Sequence, residues 1–120
     1  MKNIYVLEDD NDIREIIEIL LTEEGYSVSG FATATSFKNE MKSSEPDIIV
    51  LDVMLPDGNG LDICNDLKSN IRTKNIPVII MSANTNISLM KEKCKAEGFI
   101  SKPFDIDDFV NRIDVYAKLD

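Results

Sequence analysis

Four short apolar runs of this chain each stop on polar residues. Ile4-Tyr5-Val6-Leu7 runs into Glu8-Asp9, Ile48-Ile49-Val50-Leu51 into Asp52, Val78-Ile79-Ile80-Met81 into Ser82, and Phe99-Ile100-Ser101 into Lys102-Pro103. Apolar runs without alternation, bounded by turn residues, read as strands hidden on both faces. Between them the spacing becomes helical. Asn11 can cap a helix that carries Ile13, Ile16, Ile17 and Leu20 on one face, and Gly25 supplies its left-handed stop. Residues 26–31 alternate, as suits an edge strand, and a weaker helix over 35–42 leads to Pro46. After a loop over 53–59, Leu61, Cys64, Leu67 and Ile71 return to helical spacing, and Pro77 opens the next strand. The stretch 87–97 carries only a thin stripe of Ile87, Met90 and Cys94. A last helix is clearer: Asp105 caps it, Asp108 follows three residues on, and Ile106, Phe109, Val110, Ile113 and Tyr116 form its buried face.

Strands alternating with helices, with the central strands apolar on both faces, predict an α/β protein built on a parallel sheet. The expected fold is (βα)5, doubly wound and flavodoxin-like, with five parallel strands in the order 2-1-3-4-5. No linker, repeat or low-complexity stretch interrupts it, so residues 1–120 read as a single domain. In that order the strands ending in Glu8-Asp9, Asp52, Ser82 and Lys102 are neighbours. Ligands of such sheets bind outside the carboxyl ends, at the switch point between strands one and three. Pattern and topology therefore converge on one site.

Three carboxylates in one shallow crevice repel each other and must protonate, find cations or bind a metal. Hard oxygen donors with room for water suit Mg²⁺. Lys102 brings a positive charge to the same edge. A carboxylate beside Mg²⁺ and an ammonium is equipped to attack a phosphoryl group and form an acyl phosphate, with Ser82 able to hydrogen-bond one of its oxygens. These residues point to phosphoryl chemistry on Asp52 and leave the donor open.

Composition narrows the partners. The net charge of −9 argues against nucleic acid or an anionic membrane surface as a direct partner. No targeting or membrane segment is visible, and a cytoplasmic location is expected. Cys64 and Cys94 lack a metal-type spacing, and without a histidine neither a zinc set nor a His-dependent hydrolytic triad can be assembled. Both cysteines read as small buried hydrophobes. In that compartment the Asn86-Ile87-Ser88 sequon has no glycosylation role. Asp57-Gly58-Asn59-Gly60 lacks the later acids of a calcium loop and the third glycine of a dinucleotide fingerprint, and reads as a turn.

With these marks in place the chain resembles a receiver domain of a two-component response regulator, the CheY-like superfamily. The matching residues span the chain: VLEDD with Glu8-Asp9, LDVMLPDGNG with Asp52, Pro56 and Gly60, MSA with Ser82-Ala83, and FISKPF with Phe99, Lys102 and Pro103. The resemblance implies that Asp52 accepts a phosphoryl group from a phosphohistidine on a sensor histidine kinase or histidine phosphotransfer protein. It implies Mg²⁺ on Asp9, Asp52 and the backbone carbonyl of Met54, with Glu8 acting through water. Lys102 would contact the phosphoryl group, and its bond to Pro103 is expected to be cis. Ser82 would move toward a phosphoryl oxygen and Phe99 would swing inward, changing the face of the fourth helix, fifth strand and fifth helix.

That face would control a downstream effector or a fused output domain, or support a phosphorylation-dependent homodimer. Activity would be confined to phosphotransfer and slow hydrolysis on the chain itself, so no enzyme acting on a separate substrate is expected. The segment between Ser82 and Phe99 is short for this family, and Lys95-Ala96-Glu97-Gly98 replaces its usual Gly-Ala-Asp-Asp pattern. Asn84, two residues past Ser82, stands where receivers often tune dephosphorylation. The alternative function is a docking module that signals on the same fold without phosphate.

Overall fold

The computed structural model describes residues 2–83 and 86–118. Asn84 lies outside them. One parallel sheet is built from β1 (Asn3–Leu7), β2 (Ser27–Phe31), β3 (Ile48–Asp52), β4 (Val78–Ser82) and β5 (Gly98–Ser101). Its strand order is β2-β1-β3-β4-β5, as expected. The helices are α1 (Asn11–Glu23), α2 (Ala34–Met41), α3 (Gly60–Ser69), α4 (Ile87–Lys93) and α5 (Ile106–Ala117).

Residue parity explains why the strands carry no polar alternation. Tyr5, Leu7, Ile49, Leu51, Val78, Ile80 and Phe99 face one way, into a core with Phe37 and Met41 of α2, Cys64 and Leu67 of α3, and Met90 of α4. Ile4, Val6, Ile48, Val50, Ile79, Met81 and Ile100 face the other way, against Ile17 and Leu21 of α1 and Phe109, Ile113 and Ala117 of α5. Each central strand thus supplies two cores. Both cysteines are free and buried. Burial, foremost, pushes the Cys64 thiol up to about 12, and the adjoining Cys94 adds to it.

Several local readings are corrected. Asp10, not Asn11, caps α1 by accepting from the amides of Asp12 and Ile13. Four consecutive residues here can cap, and sequence alone does not rank them. On α1 the buried line is Ile17 and Leu21, leaving Ile16 48 % exposed, and on α5 Ile106 is 50 % exposed. Ile71 stands 84 % exposed because α3 ends at Ser69 and Asn70 is already extended. Residues 87–97 form a helix only to Lys93, because Glu97 must rejoin the sheet, its amide on the Val78 carbonyl at 2.9 Å. Finally, the 53–59 loop contains an antiparallel ladder that pairs Met54 with Asn59 and Leu55 with Gly58. Gly25 has φ +95° and performs its predicted turn.

Candidate functional site

Parallel pairing brings the strand ends together. The Glu8 amide donates to the Phe31 carbonyl at 3.0 Å, the Val53 amide to Met81 at 3.1 Å, and the Lys102 amide to Ser82 at 2.8 Å. Each bond fixes the residue just past a strand. Arg14 adds a side-chain fastening from α1, its Nη1 donating to the Glu8 carbonyl at 2.8 Å.

The predicted acids do meet. Carboxylate oxygens of Glu8, Asp9 and Asp52 all lie within 4.8 Å of one another. Glu8 is 1 % exposed and Asp52 7 %, whereas Asp9 is open to solvent. Lys102 pairs with Glu8 Oε1 and approaches Asp52 Oδ2 at 3.3 Å. The other Glu8 oxygen accepts from the Asp10 amide at 3.2 Å. Burial is the strongest single influence on the Lys102 ammonium and pulls its pKa down. The Glu8 hydrogen bond, followed by the charges of Asp52 and Glu8, outweighs it and leaves the pKa raised. The ammonium therefore stays charged throughout the neutral range. Among the described residues Lys102 is the one cation paired with these three carboxylates, which leaves surplus negative charge, and the donors are hard oxygens. The cluster fits a small divalent cation such as Mg²⁺ better than a softer metal.

Asp52, Met54, Ser82, Ala83 and Lys102 line one cavity of about 310 Å³, together with Asn59, Leu89 and Lys93. Ser82 is buried, while Ala83 and Met54 are exposed. Phe99 is not in this cavity. It is 7 % exposed, already inside the core on the α4 side, and its carbonyl accepts from Arg112 Nη1 of α5 at 2.8 Å. The Lys102–Pro103 bond is cis, as expected.

Several participants carry no mark in the sequence. Lys93 sits among alternating lysines with nothing to distinguish it. Arg14 falls on a helix flank. Gly60 stands in the sequence only as part of a motif, yet a Cβ there would lie 2.1 Å from the Asp52 carbonyl oxygen. The chain can pass behind Asp52 only because that atom is missing. Gly60 then donates its amide to Val53 at 2.8 Å, and Asn59 caps α3 by accepting from the Leu61 amide.

Comparison with known proteins agrees with this geometry. The chain is 33 % identical over 115 residues to the response regulator ArlR of Staphylococcus epidermidis, which covers 94 % of this chain and 51 % of that protein. It spans about half the length, or less, of the first curated relatives it matches. Among solved structures, the non-phosphorylated HemR receiver domain of Leptospira biflexa superposes with a TM-score of 0.87 at 28 % identity, covering 100 % of this chain and 97 % of that one. The BeF3-activated DrrB receiver domain gives 0.88 at 27 %, covering 99 % of each. Residues 4–114 match the family described as response regulator receiver domain, and with the acids, the lysine and the sheet order all in place, this chain belongs to that family.

Proposed function

We propose that Asp52 is the phosphoacceptor of a two-component signalling switch. The observation that carries this reading is the buried Asp52 carboxylate, held 3.3 Å from Lys102 and within 4.8 Å of two further acids. An Asp52 oxygen attacks phosphorus, the bond from phosphorus to a donor histidine nitrogen breaks, and the imidazole leaves with a proton from solvent. The Lys102 ammonium stands where it can turn from Asp52 to the charge of the incoming group. Mg²⁺, held by Asp9, Asp52 and the Met54 carbonyl with Glu8 behind them, would neutralise phosphoryl oxygens. Ser82 and Ala83 offer further contacts at the cavity wall.

The donor is a sensor histidine kinase or a histidine phosphotransfer protein, and the chain works in the cytoplasm on no separate substrate. Its docking place is argued by the exposed Ile16 and Ile106. With Ile13, Pro103 and Phe104 they line an apolar concavity of about 440 Å³ that also touches Ala83 and Lys102. An apolar patch beside a charged site suits a partner protein. Output passes through Ser82 and Phe99 to α4, β5 and α5, and from there to an effector or a fused output domain. Phosphorylation biases two arrangements that already exchange. Among the described residues no helix is long and apolar enough to cross a membrane.

Amide NMR with Mg²⁺, before and after beryllofluoride, tests the reading. Shifts should spread from Asp52 to Ser82, Phe99 and α4, and vanish in Asp52→Asn. Shifts confined to the cavity would leave binding without signalling. No response to either addition would favour a docking module that signals without phosphate.

A further inference from the structure

The hairpin after Asp52 is fastened at two places. Its base is held by the Gly60–Val53 bond and by the Asn59 cap on α3. Its tip is held by Asp57, whose carboxylate reaches across to the first turn of α2. Oδ1 accepts from the Ala34 amide at 2.8 Å. Oδ2 accepts from the Thr35 amide at 3.0 Å and from the Thr35 hydroxyl at 2.7 Å. Helix α2 already has a cap of its own, since Thr33 accepts from the Ser36 amide. Asp57 takes the two amides ahead of Ser36 that the Thr33 side chain does not accept, and the Thr35 hydroxyl besides. The carboxylate thereby serves the loop as much as the helix: it ties two segments 22 residues apart.

The hairpin needs the tie. Two pairs of facing residues make a ladder far too short to hold its own shape in water. Its tip residues, 56–59, are all exposed, so packing does little to hold them there. Yet Met54 and Asn59, the first rung of that ladder, line the same cavity as Asp52 and Lys102. Asp57 itself lies outside the cavity.

We infer that Asp57 is a positioning residue for the divalent-cation and phosphoryl site: by fastening the hairpin to α2, it fixes the backbone at Met54 against the acids. The inference rests on the reading of Asp52 and Met54 given above. Partners one shell removed from a metal ligand commonly tune affinity by tenfold or more, and an indirect backbone tie belongs at the low end of that range.

The test is Mg²⁺ titration followed by amide NMR on the full chain, for the wild type, Thr35→Val, Asp57→Asn and Asp57→Ala. Mg²⁺ binding should weaken in that order, by about tenfold in Asp57→Ala. Thr35→Val and Asp57→Ala should be non-additive when combined, because the hydroxyl acts only through the carboxylate. Beryllofluoride affinity should follow the same ranking. An Asp57→Ala protein that melts earlier but binds Mg²⁺ like the wild type would show a purely structural role and overturn the inference. If that variant does not fold, Asp57→Asn, which keeps an acceptor oxygen, decides the question by the same comparison. A wild type that ignores Mg²⁺ would remove the reading beneath the inference and the inference with it. A wild type that binds Mg²⁺ beside variants that bind equally well would remove the inference alone.

Discussion

Both ends of the sheet carry a lysine bound to a glutamate, but the two ends are built differently. At the amino end, Lys68 Nζ pairs with Glu97 at 2.8 Å and donates to the Ile76 carbonyl at 2.8 Å and the Lys74 carbonyl at 3.2 Å. Glu97 Oε1 also accepts the Val78 amide at 2.7 Å, closing the first rung of β4. Charge balances charge there, and the leftover donors end on backbone carbonyls. At the carboxyl end, Lys102 meets Glu8 and Asp52 with Asp9 alongside. The same pair of residue types is stapling the fold at one end and sitting inside an unbalanced cluster at the other. A lysine–glutamate pair is therefore by itself weak evidence for chemistry. Surplus charge in a cavity is the stronger sign.

Mutations should separate the two ends. The largest effect is expected for Asp52→Asn, which should abolish phosphorylation by acetyl phosphate or by a phosphohistidine donor, read as loss of the phosphoryl mass increment on the intact protein. Retained labelling would move the acceptor elsewhere. Next, Lys102→Met leaves the buried Glu8 carboxylate without its cation and should cost about 3 kcal/mol in the absence of Mg²⁺. Urea unfolding should show much of that loss returning when Mg²⁺ is added, since a metal bound only by the folded state would relieve the same acids. Lys68→Met should cost about 1 kcal/mol, since Glu97 is exposed and keeps the Val78 amide, and of the two carbonyls only that of Ile76 is partly buried. Mg²⁺ should recover none of it beyond what it gives the wild type. Equal recovery in the two lysine variants would erase the distinction drawn above.

The smallest expected effect concerns acid. The Thr35 hydroxyl, first, and then the Ala34 and Thr35 amides hold the Asp57 carboxyl below its ordinary 3.8. A carboxyl whose pKa falls on folding stabilises the protein above its ordinary value, and that support disappears as the pH drops through the lowered one. Between about pH 5 and pH 3 the wild type should thus lose slightly more melting temperature than Asp57→Asn. Parallel losses would mean that Asp57 contributes nothing through its charge.

The strands and the site were legible in the sequence for one reason: a parallel sheet buried on both faces writes its strands as unbroken apolar runs. The polar residues that end Ile48–Asp52 and Val78–Ser82 then mark the edge where the acids and Lys102 gather. Helix surfaces were less legible. Ile16 and Ile106 fit the apolar spacing of α1 and α5 but lie outside the buried line, because spacing records which residues share a face and not whether a neighbour covers it. Ile71 continued the period of α3 after the helix had ended, since one more apolar residue four positions on looks the same in either case. Asp57 and Glu97 were hidden for another reason. Each acts on backbone amides of a remote segment, and amides leave no trace in the identity of the residues that carry them.

Gly60 extends that last point to how variants of this protein would be interpreted. Its place against the Asp52 carbonyl demands the absence of a side chain. A survey that replaces residues by alanine to find those that matter removes groups, and it would read Gly60→Ala as the addition of a harmless methyl. The expected result is instead a protein with every charged group intact and a displaced Asp52, a loss that no inventory of side chains would explain.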